Sequence, residues 1–373
     1  MRSLLLHLKK LDWILITSVL FLMGFGLLSL YSSSLGYSST GEALGKGDFF
    51  NFQKQLFFAG LGILLIFLLS FFNYKILRND PHLILIIYFF CILALIGLFF
   101  FAPEIRGVKS WYRVGIFSFE PIELAKLALI ILLAKYFSIR HVELYRISHI
   151  LFSGLYLLAL AALTFLQPDL GSVLVLVILW LAILIISGIK IKPFLALALC
   201  GLLILVVGWQ FLIKDYQKER VLSFIEPQLE PLGAGWSQAQ SKIAIGSGGI
   251  FGQGLGQGSQ TQYGFLPEPQ TDFIFSAIGE EFGLFGVVVL LSLFSILIFR
   301  IIKIALISES NFPRLFAVGL AVLILSQVFI NIGMNLGLLP IVGISLPLVS
   351  YGGSGLLVIC IGLGLLQSIK INR

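Results

Sequence analysis

Charged residues are scarce in this chain. They make up 12% of its 373 residues, whereas hydrophobic residues make up 58%. Because soluble domains carry about 25% charged residues, this composition excludes an ordinary soluble protein and predicts a polytopic membrane protein. The formal net charge of +7 does not indicate nucleic-acid binding, since the distribution of charge among the loops of a membrane protein matters more than its sum.

Cysteine and histidine are also rare. Cys91, Cys200 and Cys360 lie inside apolar runs without CxxC spacing, and the four histidines form no HExxH pattern. Neither a disulfide framework nor a zinc site is therefore indicated. We interpret the cysteines as small buried apolar residues. The connections that share a side with the termini are too short to hold a nucleotide, which argues against an ATP-driven pump.

Long apolar runs fill most of the chain. A helix needs about 20 apolar residues to cross a bilayer, and about ten such runs occur, at about 11–31, 54–72, 83–102, 122–138, 149–167, 170–188, 194–213, 274–299, 315–336 and 353–369. We predict an all-α polytopic membrane protein of about ten transmembrane helices. Residues 1–373 form a single domain, with a large loop at about 214–271 between spans seven and eight. The first run is interpreted as a retained anchor.

Lysine and arginine are concentrated in the connections on the side of the two termini, and acidic residues on the opposite side. Cytoplasmic loops carry the excess of basic residues in membrane proteins. We therefore expect both termini in the cytoplasm. The connections with unusual polar residues then face outward, so any chemistry is expected outside the membrane.

A first group of candidate residues lies in the outer connection before the fourth run. Arg106, Lys109 and Arg113 place three cations on the side where cations are not expected, which suggests an anionic ligand such as a diphosphate. Trp111 is a further candidate for substrate contact, although tryptophan also occupies membrane interfaces.

A second group comprises Glu123, Lys126 and Asp169. Pro121 suits the first turn of a helix, which places Glu123 and Lys126 three residues apart on one face. They either form a structural ion pair or line a substrate cavity, and the two interpretations are compatible. Asp169 either caps the following helix or pairs with Lys126.

Asp272 lies where a polar loop enters the eighth apolar run. A carboxylate at such a position costs about 2.5–3.5 kcal/mol unless it faces protein, water or substrate, so Asp272 is a functional candidate. Capping of the eighth span is the alternative. Glu280 and Glu281 are expected to form packing or hydrogen-bonding contacts.

Two segments rich in glycine flank these candidates. Residues 246–260 contain no Gly-Lys-Ser/Thr sequence and no βαβ context, which argues against a phosphate-binding loop. Their many glycines predict a flexible or tightly turning backbone near a large ligand. The preceding residues 236–245 predict a short amphipathic helix at the membrane interface. Residues 333–354, with several glycines and prolines, predict a broken or re-entrant segment between helices.

These motifs together resemble those of the SEDS family (shape, elongation, division and sporulation), the membrane peptidoglycan polymerases. The resemblance covers almost the whole chain and is most specific in the runs Ala244–Gly249, Gly258–Gln260, Phe265–Glu268, Thr271–Phe275 and Gly279–Glu281. The segments Leu338–Gly343 and Ser350–Ser354 are similar to the RodA (elongation) branch more than to the FtsW (division) branch. Ser345 and Asn335 depart from the RodA pattern.

The resemblance implies a function. The enzyme would join lipid II disaccharide units by β-1,4 bonds with inversion, release polyprenyl diphosphate and serve cell elongation and shape. Asp272 would be the base, and a class B penicillin-binding protein would be the partner. The candidates for receiving the diphosphate are Arg106, Lys109, Arg113 and Lys126, together with a divalent cation such as Mg²⁺ or Mn²⁺. A lipid II transporter and a non-catalytic cell-wall scaffold are the alternatives. Transporters commonly contain inverted repeats, and no convincing internal symmetry is evident here.

Overall fold

The computed structural model describes residues 2–36, 49–104, 109–115, 117–140, 147–211 and 233–372, together with positions 218, 222 and 224. Arg106 and the larger part of the predicted loop before residue 233 lie outside these ranges. The elements, in chain order, are α1 (Arg2–Lys10), α2 (Trp13–Ser33), α3 (Phe50–Ser70), α4 (Lys75–Asn79), α5 (Pro81–Phe101), β1 (Tyr112–Val114), β2 (Phe117–Phe119), α6 (Pro121–Arg140), α7 (Ile147–Leu166), α8 (Leu170–Ile186), α9 (Ile191–Phe211), α10 (Ala234–Ser247), α11 (Ser259–Gln262), α12 (Ile274–Leu306), α13 (Asn311–Leu336) and α14 (Gly353–Ile371).

Each predicted apolar run coincides with a long helix. Seven of these helices are long and apolar enough to cross a membrane, namely α2, α3, α5, α7, α12, α13 and α14. The protein is therefore a mostly helical, multi-pass membrane protein. Helix α6 carries several charges, and α8 is a shorter apolar helix. The prediction of an all-α fold missed one element, the antiparallel hairpin of β1 and β2, in which Arg113 pairs with Ser118.

The centre of the bundle is formed by α6, α13 and α14. Helix α13 packs against α6, α8 and α12, and α14 packs against α3. Glycines allow close approach at these contacts: a Cβ on Gly62 would lie 2.8 Å from the Cys360 sulfur, and one on Gly319 would lie 2.6 Å from Ile130. Small residues of this kind permit tight helix packing in membranes.

The cysteine prediction holds for two of the three residues. Cys91 and Cys360 are buried, but Cys200 on α9 is exposed. The prediction was wrong there because an apolar run alone does not specify which helix face meets protein and which meets the surrounding lipid.

The end of the bundle that carries Asp12 is called here the terminal end. Asp12 is buried, caps α2 through the Leu15 N–H, and receives two hydrogen bonds of 3.0 Å from Arg300 Nε. Lys370 lies 3.4 Å from the same carboxylate. Although burial raises the pKa of Asp12, the Arg300 hydrogen bond, the Leu15 hydrogen bond and the positive charges of Lys370 and Arg300 hold it below its ordinary value. Helices α2, α12 and α14 are thereby joined at this end.

The opposite end, called here the loop end, contains the hairpin and residues 248–273 and 337–352. Helix α10 confirms the helix predicted near residues 236–245, and it packs on α12 and α13. The predicted irregular segment between the last two spans is confirmed, because residues 340–352 contain neither helix nor strand and bury Leu346, Leu348 and Val349.

Helix α12 is broken at Gly283, whose φ of 63° is non-helical. A loop formed by residues 249–254 fills the break with its backbone. Gln253 and Gly254 donate N–H groups to the carbonyls of Glu280 and Glu281 at 2.9 and 3.0 Å. The N–H groups of Leu284 and Phe285 donate in turn to the carbonyls of residues 249 and 250. Backbone groups released at membrane depth must find partners inside the protein, and this loop supplies them.

Gly252 provides a test of this arrangement. Its φ is +83°, and a Cβ would collide with the Glu281 carbonyl. We expect Gly252→Ala to lower the free energy of unfolding by about 1–3 kcal/mol or more, because backbone strain adds to the collision. Gly246→Ala is the matched control, since nothing lies within 4 Å of its Cβ position and alanine favours a helix. Equal thermal stabilities of the two purified variants would contradict the role of Gly252.

Candidate active site

Asp272 lies in the turn that precedes α12 and is partly exposed. The N-cap position of this helix is occupied by Phe273, whose own side chain forms no capping hydrogen bond. The alternative prediction, that Asp272 serves as the helix cap, is therefore wrong. The backbone carbonyl of Asp272 instead accepts hydrogen bonds from Asn331 Nδ2 at 3.0 Å and Asn335 Nδ2 at 2.9 Å.

Residues 340–352 fold over the turn that contains Asp272. Ser350 Oγ donates to the Thr271 carbonyl at 2.7 Å, and the Tyr351 N–H donates to the Gln270 carbonyl at 2.8 Å. Gly343 adopts a φ of +73°, and a Cβ at this position would lie 3.7 Å from Asp272 Oδ2. The Asp272 carboxylate thus stands beside Gly343, a residue without a side chain.

Glu280 and Glu281 are buried in α12, and both form hydrogen bonds. Glu280 accepts from the N–H groups of Gln260 and Thr261 at 2.6 and 3.0 Å and from Thr261 Oγ1 at 2.7 Å. Glu281 accepts from Ser32 Oγ. These contacts agree with the predicted hydrogen-bonding role, because they anchor α11 and the end of α2 to α12.

Glu123 and Lys126 form the predicted ion pair on α6. Lys126 Nζ lies 2.7 Å from Glu123 Oε1, and Lys126 is only 2% exposed. A buried charge requires a partner of this kind. The structural interpretation of the pair is therefore confirmed, and its contribution to a substrate cavity stays a prediction.

Glu120 was not predicted as a site residue, but it lies beside this pair. Its backbone N–H donates to Ser354 Oγ at 3.0 Å, and its side chain is hydrogen-bonded to Trp111. Burial, followed by the negative charges of Glu123 and Asp169, raises the pKa of Glu120 to about 8. The carboxylate that pairs directly with Lys126 is Glu123.

Asp169 caps α8, because its Oδ1 accepts the Ser172 N–H at 2.9 Å. The capping prediction is confirmed. In the described part of the chain Lys126 is paired with Glu123 and not with Asp169, so the alternative of a direct Lys126–Asp169 pair is wrong. Asp169 is still near enough to affect Glu120 through its charge.

The segment from Val342 to Gly355 connects the two groups of candidate residues. A Cβ on Gly171, two residues after Asp169, would lie 2.8 Å from the Val342 carbonyl. A Cβ on Gly355 would lie 3.7 Å from the Glu123 carboxyl carbon. Since Gly343 stands beside Asp272, the same segment touches the surroundings of both groups, and both belong to the loop end.

The connection that carries Arg106, Lys109 and Arg113 lies only partly within the described residues. Lys109 is partly buried, Trp111 is partly buried against Glu120, and Arg113 is exposed on β1. Tyr112 fixes the hairpin to α5 through a 2.7 Å hydrogen bond from its hydroxyl to the Ala94 carbonyl. Arg106 lies outside the described residues. The structure thus places Trp111 beside Glu120, next to the Glu123–Lys126 pair, and leaves Arg113 exposed.

A metal site made of protein ligands alone is not evident. Among the residues that the structure describes, no group of three or more histidine, cysteine, aspartate and glutamate side chains could hold an ion. A Mg²⁺ ion is commonly bound by one or two carboxylates together with substrate phosphates, so Asp272 alone would need the substrate to complete a site.

Asn331 and Asn335 also belong to the site, although they were not among the residues predicted from the sequence. Both are fully buried on α13. The signal was available, because amides separated by four residues in an apolar run lie on one face of the helix, and polar groups inside a membrane span are costly without partners.

Comparisons with known proteins identify the family of this chain. Residues 12–373 match the FtsW/RodA/SpoVE family, described as cell cycle proteins. The chain is 35% identical to the peptidoglycan glycosyltransferase MrdB of Escherichia coli (strain K12), over 93% of this chain and 91% of that protein. A chain from the solved structure of a peptidoglycan synthase complex that coordinates polymerization and crosslinking is 32% identical, with a TM-score of 0.81 and coverage of 97% and 98%. The rod shape-determining protein RodA of Thermus thermophilus is 30% identical, with a TM-score of 0.71 and 97% coverage of both chains.

Proposed function

The chain belongs to the FtsW/RodA/SpoVE family, and from this membership we propose that it polymerises lipid II with Asp272 as the general base. It is a peptidoglycan glycosyltransferase that acts in cell-wall synthesis, like the relatives it matches. The single observation that supports the proposed site is the position of Asp272, at the loop end and beside the segment that also touches the Glu123–Lys126 pair.

The proposed reaction is a direct displacement at the anomeric carbon. Asp272 accepts the proton of the incoming sugar hydroxyl while that oxygen forms the new β-1,4 bond. The bond from the anomeric carbon to the diphosphate oxygen breaks, and the polyprenyl diphosphate leaves with the electron pair. The configuration therefore inverts. A general base typically contributes about 10²–10⁴-fold.

The leaving diphosphate needs positive charge. We assign this role to Arg106, Lys109 and Arg113, because charge that develops in a transition state is stabilised by fixed cations. Trp111, Glu123, Lys126 and Asp169 are proposed to form the wall of the substrate cavity. Lys126 is buried in its ion pair, so its charge acts on the diphosphate through the cavity wall.

A divalent cation, Mg²⁺ or Mn²⁺, is proposed only as a counter-ion that the diphosphate carries. The described residues contain no group of three or more potential ligands, and no step of the reaction is assigned to a metal.

The proposed membrane arrangement has about ten spans and a large outer loop between spans seven and eight. Both termini lie in the bacterial cytoplasm, and Asp272 faces outward. This orientation is supported by the basic residues of the terminal end, where Arg300 and Lys370 meet Asp12, because basic residues favour the cytoplasmic side.

A class B penicillin-binding protein is the proposed partner, and cell elongation the proposed process. The likeness to a chain from a synthase complex that coordinates polymerization and crosslinking supports the partner. The likeness to RodA supports elongation.

Polymerisation in detergent tests this function. Purified protein with its partner is expected to convert lipid II into glycan polymer in micelles, where no second compartment exists, because the bond is formed by the protein itself. Polymer length is measured by gel electrophoresis, with a partner-only reaction as control. A protein that moves lipid II across vesicle membranes but forms no polymer in micelles would be a transporter, and one that does neither would be a scaffold.

A further inference from the structure

The amide of Asn335 lies between two backbone groups at the start of α12. Its Nδ2 donates to the Asp272 carbonyl at 2.9 Å, and its Oδ1 accepts the Ser276 N–H at 3.2 Å. In an uninterrupted α-helix the carbonyl of residue 272 would accept directly from the N–H of residue 276. Here the Ser276 N–H donates to the Phe273 carbonyl at 3.0 Å as well as to Asn335 Oδ1, so the Asn335 amide occupies the place of the bond that would draw Asp272 into the helix.

Asn331 strengthens the same interruption. Its Nδ2 donates to the Asp272 carbonyl at 3.0 Å and to the Ile344 carbonyl at 2.8 Å. A carbonyl oxygen has two lone pairs, and here each of the two asparagines supplies a donor. The Asp272 carbonyl is thus fully engaged by α13.

The surroundings hold Asn335 in one orientation. Ser276 Oγ donates to its Oδ1 at 2.5 Å, and its Nδ2 also donates to the Asn331 carbonyl at 2.8 Å. Ser241 on α10 contacts both Ser276 Oγ at 2.6 Å and the Asn335 carbonyl at 2.7 Å. A reversed amide would place oxygen against the Asp272 carbonyl. It would also lose the hydrogen bonds with Ser276 Oγ and with the Asn331 carbonyl.

We propose that Asn335, assisted by Asn331, is a positioning residue that keeps Asp272 outside α12 and so fixes the place of its carboxylate. A side chain inserted into the helical hydrogen-bond ladder is a known cause of helix distortion. This inference rests on the proposed role of Asp272 as the base. Without the inserted amide, the carbonyl of residue 272 can bond to Ser276, which rotates the Asp272 side chain with the helix.

Two variants at one position test the inference. Asn335→Ala removes the amide, and Asn335→Asp keeps the side-chain volume but loses the donor to the Asp272 carbonyl. Both are expected to lower kcat for lipid II polymerisation by about 10- to 100-fold, because a misplacement of about 1 Å can cost about 100-fold. KM for lipid II is expected to change less than about threefold, since the substrate contacts remain. Asn335→Asp supplies the measurement if Asn335→Ala does not fold.

Gln367→Ala is the matched control. Gln367 is also fully buried, and its amide bridges two backbone groups at the terminal end, donating to the Asp12 carbonyl at 3.3 Å and accepting the Asp12 N–H at 2.9 Å. This variant is expected to lower thermal stability to a similar extent, with kcat within about twofold of the parent.

The outcomes separate the positioning role from the base role. The positioning role is overturned if the Asn335 variants lose no more kcat than Gln367→Ala, or if their loss is entirely in KM. An active Asp272→Asn variant, measured in parallel, would instead overturn the base assignment on which the inference rests. Inactive Asp272→Asn together with fully active Asn335 variants overturns only the positioning role.

Discussion

Replacing Asp272 with asparagine is expected to abolish glycan polymerisation, with a fall of at least about 100-fold in kcat. The amide cannot accept the proton of the sugar hydroxyl, and a general base contributes about 10²–10⁴-fold. Folding is expected to be unaffected, because α13 holds residue 272 by its backbone carbonyl, which asparagine retains. The measurement is polymer formed from purified lipid II per unit time, with thermal stability recorded on the same sample.

Two further variants make this experiment specific. Glu309→Gln removes an exposed carboxylate between α12 and α13, and we expect full activity because this connection lies at the terminal end of the bundle. Asp272→Glu retains the acid but moves it by one methylene, so a partial activity is expected. Polymerisation by Asp272→Asn at a rate near that of the parent would remove the base from the proposed mechanism. A loss well beyond 10⁴-fold would show that Asp272 also positions the substrate.

Lys126→Met is expected to cause the largest loss of stability. It leaves Glu123 as an unpaired carboxylate in a buried position, and breaking a buried ion pair costs about 3–5 kcal/mol. The Lys126 side chain is 2% exposed and its partner side chain 10%, so water cannot replace the lost ammonium. The measurement is thermal unfolding in detergent, compared with the parent protein.

A double variant distinguishes stability from function at this pair. Lys126→Met with Glu123→Gln removes both charges, and replacement of a buried pair by neutral groups is often neutral for stability. We expect the double variant to regain most of the lost stability but to polymerise poorly, because the positive charge near the diphosphate is still missing. A stable double variant with normal polymerisation would show that the pair serves only the fold.

The membrane architecture could be predicted from the sequence because lipid imposes a length and a hydrophobicity on each span. The Glu123–Lys126 contact followed in the same way from helical spacing. The buried face of each helix could not be predicted in this way. The exposure of Cys200 depends on which helices pack together, and this is set by contacts between distant parts of the chain.

The surroundings of Asp272 were less predictable than Asp272 itself. A carboxylate at the entrance of an apolar run is visible in the sequence, because its cost must be offset. The hydrogen bonds of Asn331 and Asn335 to its carbonyl join residues about sixty positions apart, and no local pattern encodes them. Glu120 was missed for a similar reason, since its raised pKa arises first from burial and then from the charges of groups on α6 and before α8.

The broken helix α12 has a consequence for sequence variation among related proteins. Its two halves are joined through main-chain groups of residues 249–254, and such bonds do not depend on side-chain identity. The side chains of Ile250 and Phe251 are largely exposed, so joining the two halves of α12 does not restrict which side chains occupy these positions. Gly248 and Gly252 have no such freedom, because a Cβ at either position would meet the carbonyls of α12. What evolution must preserve in this loop is therefore its glycines, including Gly249 with a φ of +55°, while the side chains at positions 250 and 251 can diverge.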